Sequence, residues 1–132
     1  MSGISSNALT PKDEIWMKLD GGTDEYLTRI NRPDRSVEAI LANIARIGKR
    51  RPVVIQSLFP SIGGLEPSPA EVDAYVGRLQ QLQQGGTTLS LVQIYSATRP
   101  SPRSRCNHLA LRQLSRIAQR VREATGLRTE VF

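Results

Sequence analysis

Val53-Val54-Ile55-Gln56-Ser57-Leu58, then Ser68-Pro69-Ala70-Glu71 opening an apolar period that runs to Leu82, then Leu89 to Tyr95: this stretch decides the fold. The first run, entered through Pro52, is short and β-branched, which suits a strand. Pro60 to Pro67, with Gly63 and Gly64, is a loop. Ser68 followed three residues later by Glu71 is a capping-box pattern, and Pro69 falls at the first helical position. Val72, Tyr75, Val76, Leu79 and Leu82 then share one helical face, and Gly85-Gly86 ends it. Leu89 to Tyr95 is the next strand. A strand, a helix of this length and a second strand predict a parallel pair joined by a right-handed crossover.

The same unit recurs on both sides. Upstream, Ser36 caps a helix carrying Val37, Ile40, Leu41, Ile44 and Ile47, which stops at Gly48 before the polar turn Lys49-Arg50-Arg51. Before it, Ile15-Trp16-Met17-Lys18-Leu19 reads as a strand closed by Asp20-Gly21-Gly22. Thr23 caps a short helix with Asp24 and Glu25 in its first turn, where the helix dipole favours acids. Downstream, the proline- and arginine-bearing loop from Thr98 to Arg105 leads to a helix with Leu111, Leu114, Ile117, Ala118 and Val121, ended by Gly126. Thr129 to Phe132 adds a short terminal strand. The expected fold class is α/β, with three parallel strand-helix units. They form either half of a six-unit barrel or a small open sheet. Residues 1–13 read as a lead-in to a single domain over 14–132.

At 132 residues the chain is long enough to bury a core, and 39% hydrophobic with 23% charged residues is ordinary globular composition. No apolar run approaches the roughly 18 residues of a membrane span. With no signal-peptide pattern at its start, the expected compartment is the cytoplasm. The single cysteine, Cys106, excludes an intramolecular disulfide and any metal site built of several cysteines. One histidine, His108, leaves no Ser-His-Asp or Cys-His arrangement, and no phosphate-cradling G-x-x-x-x-G-K sequence is present. The net charge is +6, and Arg99, Arg103, Arg105, Arg112, Arg116, Arg120, Arg122 and Arg128 lie in the last third. Arg112, Arg116 and Arg120 recur every four residues, a stripe along one helix face. That stripe is either a solvated face or a backbone-driven, salt-sensitive RNA-binding surface with little base stacking, since aromatics are only 5%.

Alternation divides each strand between two faces. Ile15, Met17 and Leu19 oppose Trp16, Lys18 and Asp20; Val53 and Ile55 oppose Val54 and Gln56; Val92 and Ile94 oppose Gln93 and Tyr95. One face is aliphatic and suits helices. The other gathers Lys18, Asp20, Gln56, Gln93 and Tyr95 toward the C-terminal strand ends, where parallel α/β folds keep their ligands. The alternative is an open sheet whose second face meets water.

Trp16-Met17-Lys18-Leu19-Asp20-Gly21-Gly22, then Ile30-Asn31-Arg32-Pro33, Val54-Ile55-Gln56 with Leu58-Phe59, and Val92-Gln93-Ile94-Tyr95 with Arg99-Pro100, follow one another in a familiar order. Together with the closing Leu114, Ile117 and Ala118 helix and Thr125-Gly126, they resemble the C-terminal half of radical S-adenosylmethionine (SAM) proteins of the wyosine tRNA-modification type. The resemblance covers about residues 14 to 132. Ser6-Asn7-Ala8 in the lead-in reads as a scar from an expression tag, and the resemblance gives a second reading, Ser6-Asn7-Ala8-Leu9 as the remnant of a preceding strand.

The resemblance implies half of a radical SAM type (β/α)6 partial barrel, with part of a pocket for SAM or the substrate. Lys18 and Asp20 would face the SAM sugar and methionine region and Gln56 the adenosine or the substrate. Gln93 would share that wall, and Tyr95 and Arg99 would line the mouth. Plainer roles remain beside these: an inter-strand ion pair for Lys18 and Asp20, polar packing for the glutamines, a surface arginine at 99. The family holds a [4Fe–4S] cluster on a C-x-x-x-C-x-x-C motif near its first strand, and one cysteine cannot supply three thiolates. Gly21-Gly22 is not that family's glycine-rich SAM motif, which belongs to the other half. The expectation is therefore a truncated radical SAM-like protein that is inactive alone and binds no cluster. It would need self-association into a homo-oligomer or a partner chain that carries the cluster half. RNA is the alternative partner, and no membrane is expected.

Overall fold

The computed structural model describes residues 15–29, 36–62, 65–96, 106–107 and 109–131. In chain order these form β1 (Ile15–Lys18), α1 (Asp24–Arg29), α2 (Val37–Gly48), β2 (Val53–Leu58), β3 (Ser61–Ile62), α3 (Pro69–Gln84), β4 (Leu89–Tyr95), β5 (Cys106–Asn107), α4 (Leu111–Thr125) and β6 (Thr129–Val131). Strands β1, β2, β4 and β6 make one four-stranded sheet in that order. Every pairing in it is parallel. The α/β class and its parallel strand-helix units are thus as the sequence predicts.

The helix starts follow local chemistry. Ser36 Oγ accepts the Ala39 amide at 3.1 Å and Ser68 Oγ the Glu71 amide at 3.2 Å. Thr23 Oγ1 takes the Tyr26 amide at 3.1 Å. Each satisfies one of the amides that a first helical turn leaves without a partner. Gly126, at φ 71°, ends α4 in the left-handed conformation that glycine adopts freely. The carbonyls at that same end are met from α3: Gln80 donates to Ala124 O at 3.1 Å and Gln83 to Thr125 O at 2.9 Å.

The core lies between the helices and one face of the sheet. Leu19, Val53, Ile55, Val92 and Ile94 from that face join Leu41, Ile44, Tyr75, Leu79, Leu114, Ile117 and Val121 from the helices. Tyr26, Phe59 and Tyr75 form an aromatic group within it, with the Phe59 and Tyr75 rings edge-on at 4.8 Å between centroids. Beneath them the Ser57 and Tyr75 hydroxyls are 2.6 Å apart and buried.

The second glycine of Gly21-Gly22 is dictated by packing. A Cβ on Gly22 would stand 2.3 Å from the Tyr75 amide nitrogen and 2.4 Å from Ala74 C, so the chain after β1 lies directly against the backbone of α3. Arg78 Nε donates to the Gly22 carbonyl at 3.1 Å, fastening the same crossing.

One element departs from expectation. Where sequence reading has only loops, β3 and β5 pair antiparallel, Ser61 with Asn107 and Ile62 with Cys106. They tie the segment after β2 to the segment after β4, above the C-terminal ends of the sheet. Leu109 N donating to Ser96 Oγ at 2.7 Å closes the same region.

Candidate functional site on the open face of the sheet

Strand register sets the site. Lys18 lies opposite Gln56, Gln56 opposite Gln93, and Gln93 opposite Glu130. One polar row therefore crosses all four strands near their C-terminal ends. Its neighbours one step along the strands are Asp20, Leu58 and Tyr95. These side chains alternate with the core residues, so they lie on the face away from the helices. Val54 shares that face and is buried without belonging to the helix-facing core.

The side chains are organised among themselves. Lys18 Nζ hydrogen-bonds the Tyr95 hydroxyl and lies 4.9 Å from the centre of the Tyr95 ring. The two residues belong to β1 and β4, so they meet over the intervening β2. Lys18 also pairs with Asp20 at 3.4 Å. Asp20 is only 5% exposed, and its Oδ1 accepts the Leu58 amide at 2.9 Å. It thereby anchors the end of β2 and offsets one charge of Lys18 at once. Gln56 Nε2 reaches Gln93 Oε1 at 3.4 Å. The row brings together a cation, a carboxylate and two amides, groups that donate to and accept from a polar ligand.

A cleft of about 460 Å³ opens beside β1. It is lined by Trp16, Lys18 and Asp20 from the open face, Met17 from the other, and Leu27, Ile40 and Asn43 from α1 and α2. It follows the outer edge of the strand, since among the described residues β1 pairs only with β2. Trp16 stands at its rim, 54% exposed. On the covered side of the sheet, burial pushes the Tyr75 phenol far above its ordinary range. The Ser57 hydrogen bond opposes that shift and the Asp20 charge adds to it.

Five of the six residues expected at a ligand site, Lys18, Asp20, Gln56, Gln93 and Tyr95, thus share one face; Arg99 lies outside the described residues, as does the turn at 30–35. Sequence reading missed Glu130, which completes the row. Its signal is the alternation Thr129-Glu130-Val131, too short to stand out before the register is known. Cys106 lies in β5 and His108 lies outside the described residues.

The arginine stripe on α4 looks different in three dimensions. Arg120 pairs with Asp73, and Arg116 lies 4.0 Å from Glu66, which Gln113 also holds. Only Arg112 of the three meets no acid among the described residues. No described helix is long and apolar enough to cross a membrane. Neither the protein-family models nor the curated proteins give a match to this chain.

Proposed function

We propose that the chain is the cluster-free half of a radical SAM type partial barrel, and that its open sheet face is one wall of a pocket for SAM or the substrate. The observation that carries this reading is the polar row Lys18–Gln56–Gln93–Glu130 at the C-terminal strand ends, on the face the helices leave uncovered. Ligands of parallel α/β folds sit at that end. The motif order from Trp16 to Arg99 supports the family.

The donor set suits part of a SAM molecule. Asp20 offers an acceptor for hydroxyl or ammonium groups, Lys18 a donor for a carboxylate, and the Gln56 and Gln93 amides both functions for a base edge. It does not suit a three-thiolate iron-sulfur cluster, because the chain has one cysteine. Radical chemistry would then depend on residues beyond these 132. What the present residues do is bind and orient.

A wall needs an opposite wall. Leu58 and Leu91 are half-buried on the open face and Trp16 is more exposed than that. Among the described residues β1 and β6 each have one free edge, and free edges invite pairing. In the isolated chain a second copy takes that place; with a cluster-bearing chain present, that chain does.

Calorimetric titration with SAM tests the pocket. Saturable binding is expected, weakened about tenfold in Gln93→Ala, the worth of one hydrogen-bonded amide. Absence of any saturable heat contradicts the reading.

A further inference from the structure

The cations of this molecule divide by whether something faces them. Around α4, Arg112 apart, the cations have partners: Arg116 and Arg120 meet Glu66 and Asp73, Arg128 meets Glu130 at 3.4 Å, and Arg122 donates to the Thr129 carbonyl at 2.6 Å. On α3, Arg78 meets Glu38 at 2.9 Å. The turn between α2 and β2 is the opposite case. Lys49, Arg50 and Arg51 are consecutive and exposed, and among the described residues their side chains meet no acid. Arg46, one turn earlier, donates to Asn43 of its own helix at 3.0 Å.

Arg46, Arg50 and Arg51 rim a depression of about 470 Å³ floored by Ile15 and Ile47. It lies at the N-terminal end of the strands, away from the polar row. The dipole of α2 accounts for one cation in its last turn. It does not account for three more just past it, a local concentration of exposed positive charge of the kind that attracts polyanions.

We propose that this depression docks the phosphate backbone of a nucleic-acid duplex. Three of the four cations are arginines, whose planar guanidinium matches a phosphate with two parallel hydrogen bonds. Among the described residues, no aromatic side chain lines the depression. Single strands are held largely by stacking on aromatics, whereas a duplex presents its phosphates outward and needs none. The two isoleucines are half-buried in the floor; they do not project as the apolar wedge that would favour a bilayer. RNA and DNA duplexes share the recognised chemistry.

The test is fluorescence anisotropy with labelled RNA and DNA duplexes of one sequence, over about 50 to 200 mM salt. Contact of three to four phosphates predicts a log–log salt slope of about −3. The double variant Arg50→Gln/Arg51→Gln lowers that slope by nearly 2 and weakens binding about tenfold at the low-salt end. Arg116→Gln/Arg120→Gln, whose cations already have acids, changes affinity less than about twofold. Both variants alter exposed side chains, and an unchanged circular dichroism melt verifies their folding. Equal loss in the two RNA and DNA arms supports a shared backbone contact; loss in the RNA arm alone supports the proposal for RNA duplexes. Three results overturn it: undiminished binding by the Arg50/Arg51 variant, tighter binding of the single strand than of the duplex, or Arg50/Arg51-dependent binding to phosphatidylserine vesicles with none to duplexes.

Discussion

The two faces of the sheet are built from alternate residues of the same strands, yet they have little else in common. Met17, Ile55, Val92 and Ile94 point toward the helices and pack into the apolar core. Lys18, Gln56, Gln93 and Glu130, one residue along, make a polar row that no described helix covers. The covered face holds the fold together, and its buried Ser57 hydroxyl is answered by Tyr75. The open face carries polar groups that bond to one another, Lys18 to Tyr95 and Asp20 and Gln56 to Gln93. On the proposed reading, stability and ligand recognition are divided between the two faces by strand parity.

Substitutions on either side of one strand are the strongest way to break that contrast. Ile55→Ala removes a fully buried side chain and should cost about 2–5 kcal/mol in urea unfolding. Gln56→Ala, its neighbour on the open face, should stay within about 0.5 kcal/mol. Comparable losses at the two positions would abolish the distinction. Gly22→Ala probes the crossing of the β1–α1 connection over α3. A methyl group placed 2.3 Å from the Tyr75 amide forces backbone to move, for a loss of about 1–3 kcal/mol.

The pair Ser57 and Tyr75 sharpens the covered side. Tyr75→Phe leaves a buried Ser57 hydroxyl without its partner and should cost about 1–3 kcal/mol. It also carries a pH signature. The folded phenol keeps its proton above the pH, about 10, at which the unfolded phenol releases it. Unfolding then releases a proton, so stability is full below about pH 10 and falls as pH rises beyond it, by at most about 1.4 kcal/mol per unit. In Tyr75→Phe the contribution of this group to that alkaline decline vanishes. A decline of unchanged slope in the variant would show that Tyr75 ionises as readily in the fold as out of it.

A smaller loss than at Ile55 lies where the faces meet. Asp20 is buried but belongs to the open row, accepting the Leu58 amide and pairing with Lys18. Asp20→Ala should cost about 1–2 kcal/mol for the amide left unmet. Asp20→Asn keeps an acceptor oxygen and should recover most of it, while still losing affinity for SAM. Full recovery of both would leave the carboxylate no role beyond the hydrogen bond.

Much of this contrast is legible in the sequence because alternation is strong where strands are half-buried: Ile15 to Asp20 and Val92 to Tyr95 declare their parity. Caps at Thr23, Ser36 and Ser68 are equally plain, since they are local. What escapes depends on distant partners. The β3–β5 pair joins two short pieces with no period of their own. Glu130 gains meaning only from its register beside Gln93. The α4 arginines look like a free stripe until Glu66 and Asp73 are brought to them by the packing of α3. Gly22 resembles an ordinary loop glycine until the backbone of α3 lies against it.

The chain carries its own probe of the central claim. Trp16 is its single tryptophan and stands exposed on the open face beside Lys18. Its emission and its quenching by iodide, followed as protein concentration rises, report directly whether that face becomes covered. A blue shift with growing protection from iodide, in step with self-association by light scattering, is the predicted result. A Trp16 that stays red-shifted and fully quenchable at every concentration, in a chain that stays monomeric, would contradict the account.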